Sequence, residues 1–457
     1  MFRGVGTITG KSRAALILGR SCRVTGIYRR SVRTRTVVAV TAAIACVVVL
    51  SVVVAIVAAV RGSVDATANV QGALDPFYTA SSPLPPGAPG DIIRSEPLTP
   101  DPGLTNARSY RVLYRTEMPD GTPRVSGAML FIPTAPAPVG GRKVIAWAHP
   151  TVGMGDSCAP SRSSQPTQNM DWLQGMLDRG WVVTATDYAG LGTVGIEYYL
   201  IGQNEAIDTI NSVRMARQFP GADASDTYGA FGHSQGGHAA LWAGAIAPSY
   251  APELHLVGVA GAAPAAAPSS LVSQQWADTV SWVIGPDVFT SFPAAYPDLD
   301  LAQVASPEAL KRYESIAGGC MLQAMIEGRI LQHLGKTAFT VNPMTVPAWA
   351  KALTAQTAKP LPASMPILIT ESVNDAVVIP STIALLQETW CAAGSTLQVD
   401  WLGPLRGTAG TPSSMTHIYE GAVGGALATT WFDQRFTGTA PASNCGTPPL
   451  VEPAPMP

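Results

Sequence analysis

From residue 106 onward the hydrophobic positions fall into short β-type runs that alternate with longer helical ones. Residues 110–118 (YRVLYRTEM) and 124–133 (RVSGAMLFIP) are separated by Pro119-Asp120-Gly121, a turn signal, and predict an antiparallel hairpin. Strand and helix then take turns. Residues 143–150 (KVIAWAHP) read as a strand, 169–180 as a helix closed by Gly180, 181–190 (WVVTATDYAG) as a strand and 206–219 as a helix. Residues 227–234 (TYGAFGHS) form the next strand, an Ala/Leu/Trp-rich helix follows, and 254–264 (LHLVGVAGAAP) is another strand. This β-α-β-α order implies a mostly parallel sheet with helices on both faces.

The alternation stops near Ala265. About a hundred residues follow with helical stretches and many prolines but no strand repeat, too long for a structureless loop, so they predict an inserted helical cap. Its aromatics, Trp276, Trp282, Phe289, Phe292, Tyr296 and Trp349, can build a core or line an apolar cleft. The sheet resumes with 365–375 (MPILITESVND), a helix at 381–391, the strand 396–402 (TLQVDWL) and a final helix at 421–436. The expected organisation is a sheet domain of residues 106–264 and 361–446, a cap of 265–360 and a Pro-rich tail of 447–457.

The centre of this pattern is Gly232-His233-Ser234-Gln235-Gly236, a G-x-S-x-G between a strand and a helix. That is the sequence form of a nucleophile elbow, which holds a serine at the apex of a sharp turn. The glycines remove side chains that would collide with the neighbouring strand and helix, and the helix N-terminus turns free N–H groups toward a developing oxyanion.

The charge is uneven. Residues 1–61 contain ten Lys/Arg and no acid, leaving 19 basic against 31 acidic residues in the rest. The basic stretch (1–36) leads directly into residues 37–60, VVAVTAAIACVVVLSVVVAIVAAV, a charge-free run long enough to cross a bilayer. It therefore reads as a cytoplasmic tail and transmembrane signal anchor, with everything beyond Arg61 outside the cytoplasm, and not as a nucleic-acid-binding arm. A long signal peptide, with Ala66-Thr67-Ala68 as a poor cleavage site, would leave the protein secreted. Residues 61–105, rich in Pro, Gly, Ala and Ser, read as an extended arm. Cys158, Cys320, Cys391 and Cys445 lie in the exported part, an even number that suggests two disulfides with three possible pairings. No C-x-x-C or His-rich spacing points to a metal.

Acyl transfer by serine needs a histidine to take the hydroxyl proton and a carboxylate to orient it. In this architecture the two follow the serine in the order acid, then histidine. Of six histidines, His149 precedes the elbow, His233 and His238 flank it, His255 opens a strand and His333 lies in the cap. His417, in a predicted loop after the last strand, is the candidate base. Asp375, in the turn after residues 365–370, is the candidate acid; Glu371 is the second choice, and Asp400 lies inside a strand. The oxyanion donors are expected from the backbone N–H of Gln235 and from the loop His149-Pro150-Thr151, with Thr151 chosen.

Residues 146–161 (AWAHPTVGMGDSCAPS), 180–192 (GWVVTATDYAGLG), 231–237 (FGHSQGG) and the arm segment FYTASSPLPPGAPGDIIRSEPL resemble the secretory lipases, the lipase A-type enzymes of yeasts and their actinobacterial relatives, over about residues 74–446. The resemblance implies an α/β-hydrolase fold with a helical cap, hydrolysis of lipid or other carboxylic esters, no cofactor, and a triad on Ser234, Asp375 and His417. It also implies disulfides Cys158–Cys320 and Cys391–Cys445. Related esterases carry Gly after the histidine of the oxyanion loop; Pro150 stands here and donates no N–H, which leaves Val152 and Asp156 beside Thr151 as candidates for the second donor. The membrane span is not part of the family pattern. The reading is an exported, membrane-anchored or secreted lipase or esterase. The alternatives are a cell-envelope acyltransferase using the same triad and a non-catalytic surface lipid-binding protein.

Overall fold

Nine strands among the described residues of the computed structural model, which cover 71–406 and 411–456, hydrogen-bond into one mixed sheet. They are β1 (Ile92–Pro97), β2 (Ala107–Glu117), β3 (Pro123–Pro133), β4 (Arg142–Ala148), β5 (Val182–Thr186), β6 (Ala224–His233), β7 (His255–Ala262), β8 (Ile367–Ser372) and β9 (Leu397–Leu402). The order across the sheet is β1-β2-β3-β5-β4-β6-β7-β8-β9. The expected hairpin is β2 and β3, paired antiparallel from Ala107↔Pro133 to Glu117↔Pro123. From β5 to β9 all neighbours are parallel. Strands β4, β5 and β8 are buried almost throughout, as are the later residues of β6 and β7, as parallel strands covered on both faces must be, whereas the edge strand β9 is half-buried. The arm contributes more than a tether, because β1 lies within it and pairs antiparallel with β2 at the sheet edge.

The topology fixes where a site can form. From β4 the chain crosses to β5 on one side, and it then returns to β6 on the other side of β4. The loops leaving β4 and β6 diverge, and the crevice between the carboxyl ends of these two strands is the switch point where open α/β sheets bind ligands. The helices covering the sheet are α1 (Leu173–Leu177), α2 (Gly202–Gln218), α3 (Gln235–Tyr250), and, after the cap, α9 (Pro380–Ala392) and α10 (Ser414–Phe436).

The predicted cap segment is helical and lies between β7 and β8 as α4 (Pro268–Gln275), α5 (Val280–Ala295), α6 (Pro307–Ala317), α7 (Met321–His333) and α8 (Pro347–Ala355). Its aromatics pack on one another within the hydrophobic core that they share with the sheet. Phe289 packs edge-on against Phe339 with ring centroids 4.8 Å apart, Phe292 stacks on Trp349, and Trp282, Phe289, Phe292 and Trp349 are all buried. They stabilise the cap by packing rather than by lining an apolar cleft.

Both expected disulfides, Cys158–Cys320 and Cys391–Cys445, are present. The first joins the loop after β4 to the N-terminus of α7 across 162 residues of sequence. Beside it, Met154 N–H donates to the Ala317 carbonyl and Met321 N–H to the Val152 carbonyl, both at 2.8 Å. A link across so long a loop removes much of the freedom of the unfolded chain. Cys158→Ser/Cys320→Ser is therefore expected to lower unfolding stability by about 2–5 kcal/mol. Denaturant titration of oxidised protein checks this; an unmoved midpoint would contradict it.

The predicted span 37–60 and its basic tail lie outside the described residues. Among the described residues no helix is long and apolar enough to cross a membrane.

Candidate active site

The turn from β6 into α3 carries Ser234 at φ 56° and ψ −118°, a conformation that L side chains rarely adopt. Two features hold it there. Ser234 N–H donates to the Ala262 carbonyl at 2.9 Å, and its own carbonyl accepts from Ala265 and His238 at 3.0 and 3.1 Å. The glycines on either side then let three backbones converge: a Cβ at Gly232 would overlap the Gly236 carbonyl, and one at Gly236 would overlap the carbonyl of Ala148 at the end of β4. The elbow is thereby packed directly on the strand whose loop carries His149 to Thr151.

His417 and Asp375 reach Ser234 from later in the chain. Asp375 follows β8, where its loop forms a one-residue parallel bridge with Ser413, and Ser413 N–H donates to the Asn374 carbonyl at 2.9 Å. His417 departs from its expected setting. It lies in the first turn of α10, not in a loop, because the Ser413 side chain caps the helix by accepting from Met415 N–H, starting it seven residues ahead of the expected Gly421. A glycine face then lets α10 approach the sheet: added Cβ atoms at Gly421, Gly424 and Gly425 would meet His233, Ala262 with Thr370, and Trp172.

The result is a continuous chain of polar contacts. His417 Nε2 lies 2.9 Å from Ser234 Oγ, and His417 Nδ1 lies 2.6 Å from Asp375 Oδ2. The second oxygen of Asp375 accepts from Val377 N–H at 2.6 Å. All three residues are buried, with Ser234 and His417 each 7% exposed. Glu371 and Asp400 make no contact with the imidazole; Glu371 lies behind Asp375, and Asp400 accepts from Gln398 on β9.

Among the described residues no hydrogen bond occupies the N–H of Gln235 or of Thr151. Gln235 is fixed through its side chain, which donates to Glu197 at 2.6 Å and Glu205 at 2.9 Å. Burial pushes the Glu197 carboxyl well above the usual range, and the amide hydrogen bond only partly offsets it. The Thr151 hydroxyl lies 2.9 Å from that of Tyr199. His149 is buried, with ring nitrogens at 2.7 and 3.2 Å from the Pro150 and Asp187 carbonyls, and burial pushes its pKa down. These contacts pin the loop after β4.

Two groups escaped sequence reasoning. The His233 ring turns away from Ser234 but packs against the His417 ring, centroids 4.7 Å apart, where burial and the neighbouring imidazole push its pKa well below the ordinary value. Glu420, one helical turn after His417, joins Glu371 beside Asp375. Those three carboxyls form the one group among the described residues whose donor set could hold a metal. The i, i+3 spacing from His417 to Glu420 places both on one helix face and was the available signal.

An elbow serine facing an imidazole and a carboxylate on a mostly parallel sheet defines an α/β-hydrolase-like protein. The "Secretory lipase" family model matches residues 159–444, and the chain belongs to that family of carboxylic ester hydrolases. Among relatives, it is 24% identical to "Lipase A" of Moesziomyces aphidis over 400 residues, 82% of each chain. It is likewise 24% identical to "Lipase 6" of Candida albicans over 400 residues, 81% of this chain and 83% of that one. Among solved structures, a rice cell wall degrading esterase from Xanthomonas oryzae superposes with a TM-score of 0.66 at 21% identity, covering 76% of this chain and all of that one. Candida antarctica lipase A in its closed state gives 0.64 at 21% identity, covering 83% and 89%.

Proposed function

We propose that the protein hydrolyses lipid esters, triacylglycerols among them, through an acyl-enzyme on Ser234. The observation that carries this reading is the Ser234–His417–Asp375 chain, with contacts of 2.9 and 2.6 Å. His417 takes the hydroxyl proton as Ser234 attacks the ester carbonyl, then returns it to the departing alcohol; Asp375 orients the ring and stabilises the imidazolium. The free N–H groups of Gln235 and Thr151 receive the oxyanion. Water, activated by His417 in turn, releases the acid. No step calls for a cofactor.

Lipid as substrate is supported by the family and by the surface. On α7, Leu322, Ile326 and Ile330 repeat every four residues, Leu334 continues their line, and each is more than half exposed. The stripe starts beside the Cys158–Cys320 link, next to the loop after β4. Met415, Ile418 and Tyr419, partly exposed, flank His417 on α10. Such a surface suits the edge of a lipid aggregate. In the same reading residues 1–60 export the protein and 37–60 anchor it, with 106–264 and 361–446 forming the hydrolase domain under a cap of 265–360.

If each stripe side chain contributes about 1 kcal/mol at the interface, Leu322→Ser/Ile326→Ser/Ile330→Ser weakens adsorption about 100-fold. The variant should slow on emulsified triacylglycerol while turning over a dissolved short ester at the parent rate. Titration of released acid on both substrates tests it. Failure of the parent protein to cleave the emulsion would leave a small-ester esterase.

A further inference from the structure

Behind the Ser234–His417–Asp375 chain lie two carboxyl groups that the chemistry above does not use. Glu371 projects from β8 and Glu420 from α10. One oxygen from each, together with one from Asp375, lie within 4.8 Å of one another. Both glutamates are fully buried, and among the described residues none of their four oxygens has a hydrogen-bond partner of ordinary geometry. No lysine or arginine among the described residues pairs with them. Asp375 differs, since Val377 N–H and the His417 ring supply one partner to each of its oxygens.

Resting on the triad reading, we propose that Glu371 and Glu420 are positioning residues held as neutral carboxylic acids, which confine the cluster's negative charge to Asp375, where it faces His417. Three carboxylates in so small a water-excluded space would drive one another apart, and a buried charge without a partner is the costlier state for each glutamate. Two protons shared over three carboxyls remove that conflict and leave the charge on the carboxylate that has donors. The neutral acids also gain O–H groups with which to donate to a neighbouring carboxyl oxygen. A divalent cation would solve the same problem differently, but it would compete with His417 and the Val377 N–H for the oxygens of Asp375. Protons balance the cluster without that conflict.

The electrostatics agree with the geometry. Burial and then the charges of its neighbours push Glu371 well above the usual carboxyl range. Burial, reinforced by Asp375, pushes Glu420 up to about 9, with the nearby Ser372 N–H the one influence in the other direction. The other titratable groups facing the cluster are His417, on α10 with Glu420, and His233 at the end of β6, kept neutral by burial. Arg406, from the loop after β9, stacks its guanidinium on Tyr419, 3.9 Å from the ring centre.

The consequence is an alkaline limit to activity. When Glu420 ionises, a second negative charge beside Asp375 repels it and loosens the grip on His417. The test is kcat/KM against pH on a dissolved short ester for the parent, Glu420→Gln and Glu371→Gln, with thermal unfolding over the same range. An amide cannot ionise, so Glu420→Gln should carry activity about one pH unit further into alkali. Because the folded-state pKa lies above the unfolded one, parent stability falls as pH rises from about 4.5 to 9. The stability of Glu420→Gln relative to the parent should therefore rise with pH across that window, a readout that survives poor activity, and Glu371→Gln should act in the same direction. A downward shift of the acidic limb, with the alkaline limb unmoved, would mean that the glutamates are anionic at neutral pH and would overturn the proposal. So would pH profiles and stability slopes identical to the parent. Failure of the triad reading is seen separately, as absence of fluorophosphonate labelling at Ser234 in the parent protein.

Discussion

Ser234→Ala and His417→Ala should each lower ester turnover by about 10⁴–10⁶-fold, and the double variant should be little worse than either. The reason is geometric. With Nε2 at 2.9 Å from Oγ and Nδ1 at 2.6 Å from Asp375, the proposed mechanism makes proton removal, attack and proton return one coupled event, so losing any partner would forfeit the whole. Asp375→Asn should cost about 10⁴-fold, because an amide holds the imidazole in the wrong tautomer while leaving the contacts in place. Glu371→Gln should cost far less, since Glu371 lies beside Asp375 and makes no hydrogen bond to the ring. Steady-state rates with folded variants decide it, and fluorophosphonate labelling should vanish in Ser234→Ala. Near-normal turnover by His417→Ala would end the assignment.

The parts of this machine that lie within one element were legible from the sequence. Short apolar runs gave the strands because a parallel strand buried on both faces must be apolar along its length, as residues 144–148 and 228–232 are. The serine was legible because its strain demands glycine on both sides. His417 was reached by chain order, yet its helical setting was not, since one capping serine decides where α10 begins and the residues before it look like loop. The edge strand β1 was hidden in a Pro/Gly-rich arm because its pairing comes from β2, far from anything local pattern registers. His233 and the glutamate pair act across elements, from β6, β8 and α10 at once. A single sequence carries face and period within an element; it carries no distance between two of them.

Gly236→Ala should be among the most destructive single methyl groups that can be added at the elbow. An ideal Cβ there overlaps the carbonyl of Ala148 and approaches that of His149, and both are backbone that cannot rotate aside. Ala148 belongs to β4, which is hydrogen-bonded on one side to β5 and on the other to β6. Relief therefore requires separating α3 from the centre of the sheet, and with it Ser234 from the loop carrying Thr151. Overpacking a rigid core typically costs about 1–3 kcal/mol, and a clash with fixed backbone belongs at or above the upper end. Gly175→Ala supplies the contrast. Gly175 sits in α1 with only the tip of the Arg179 side chain near its Cβ position, at 4.0 Å, so alanine there should be neutral or stabilise by up to about 1 kcal/mol through helix propensity. Denaturant midpoints and turnover measured side by side would separate the two, with Gly236→Ala losing both stability and hydrolysis and Gly175→Ala losing neither. Equal behaviour would mean that the close approach of α3 to β4 is not what holds the serine in place.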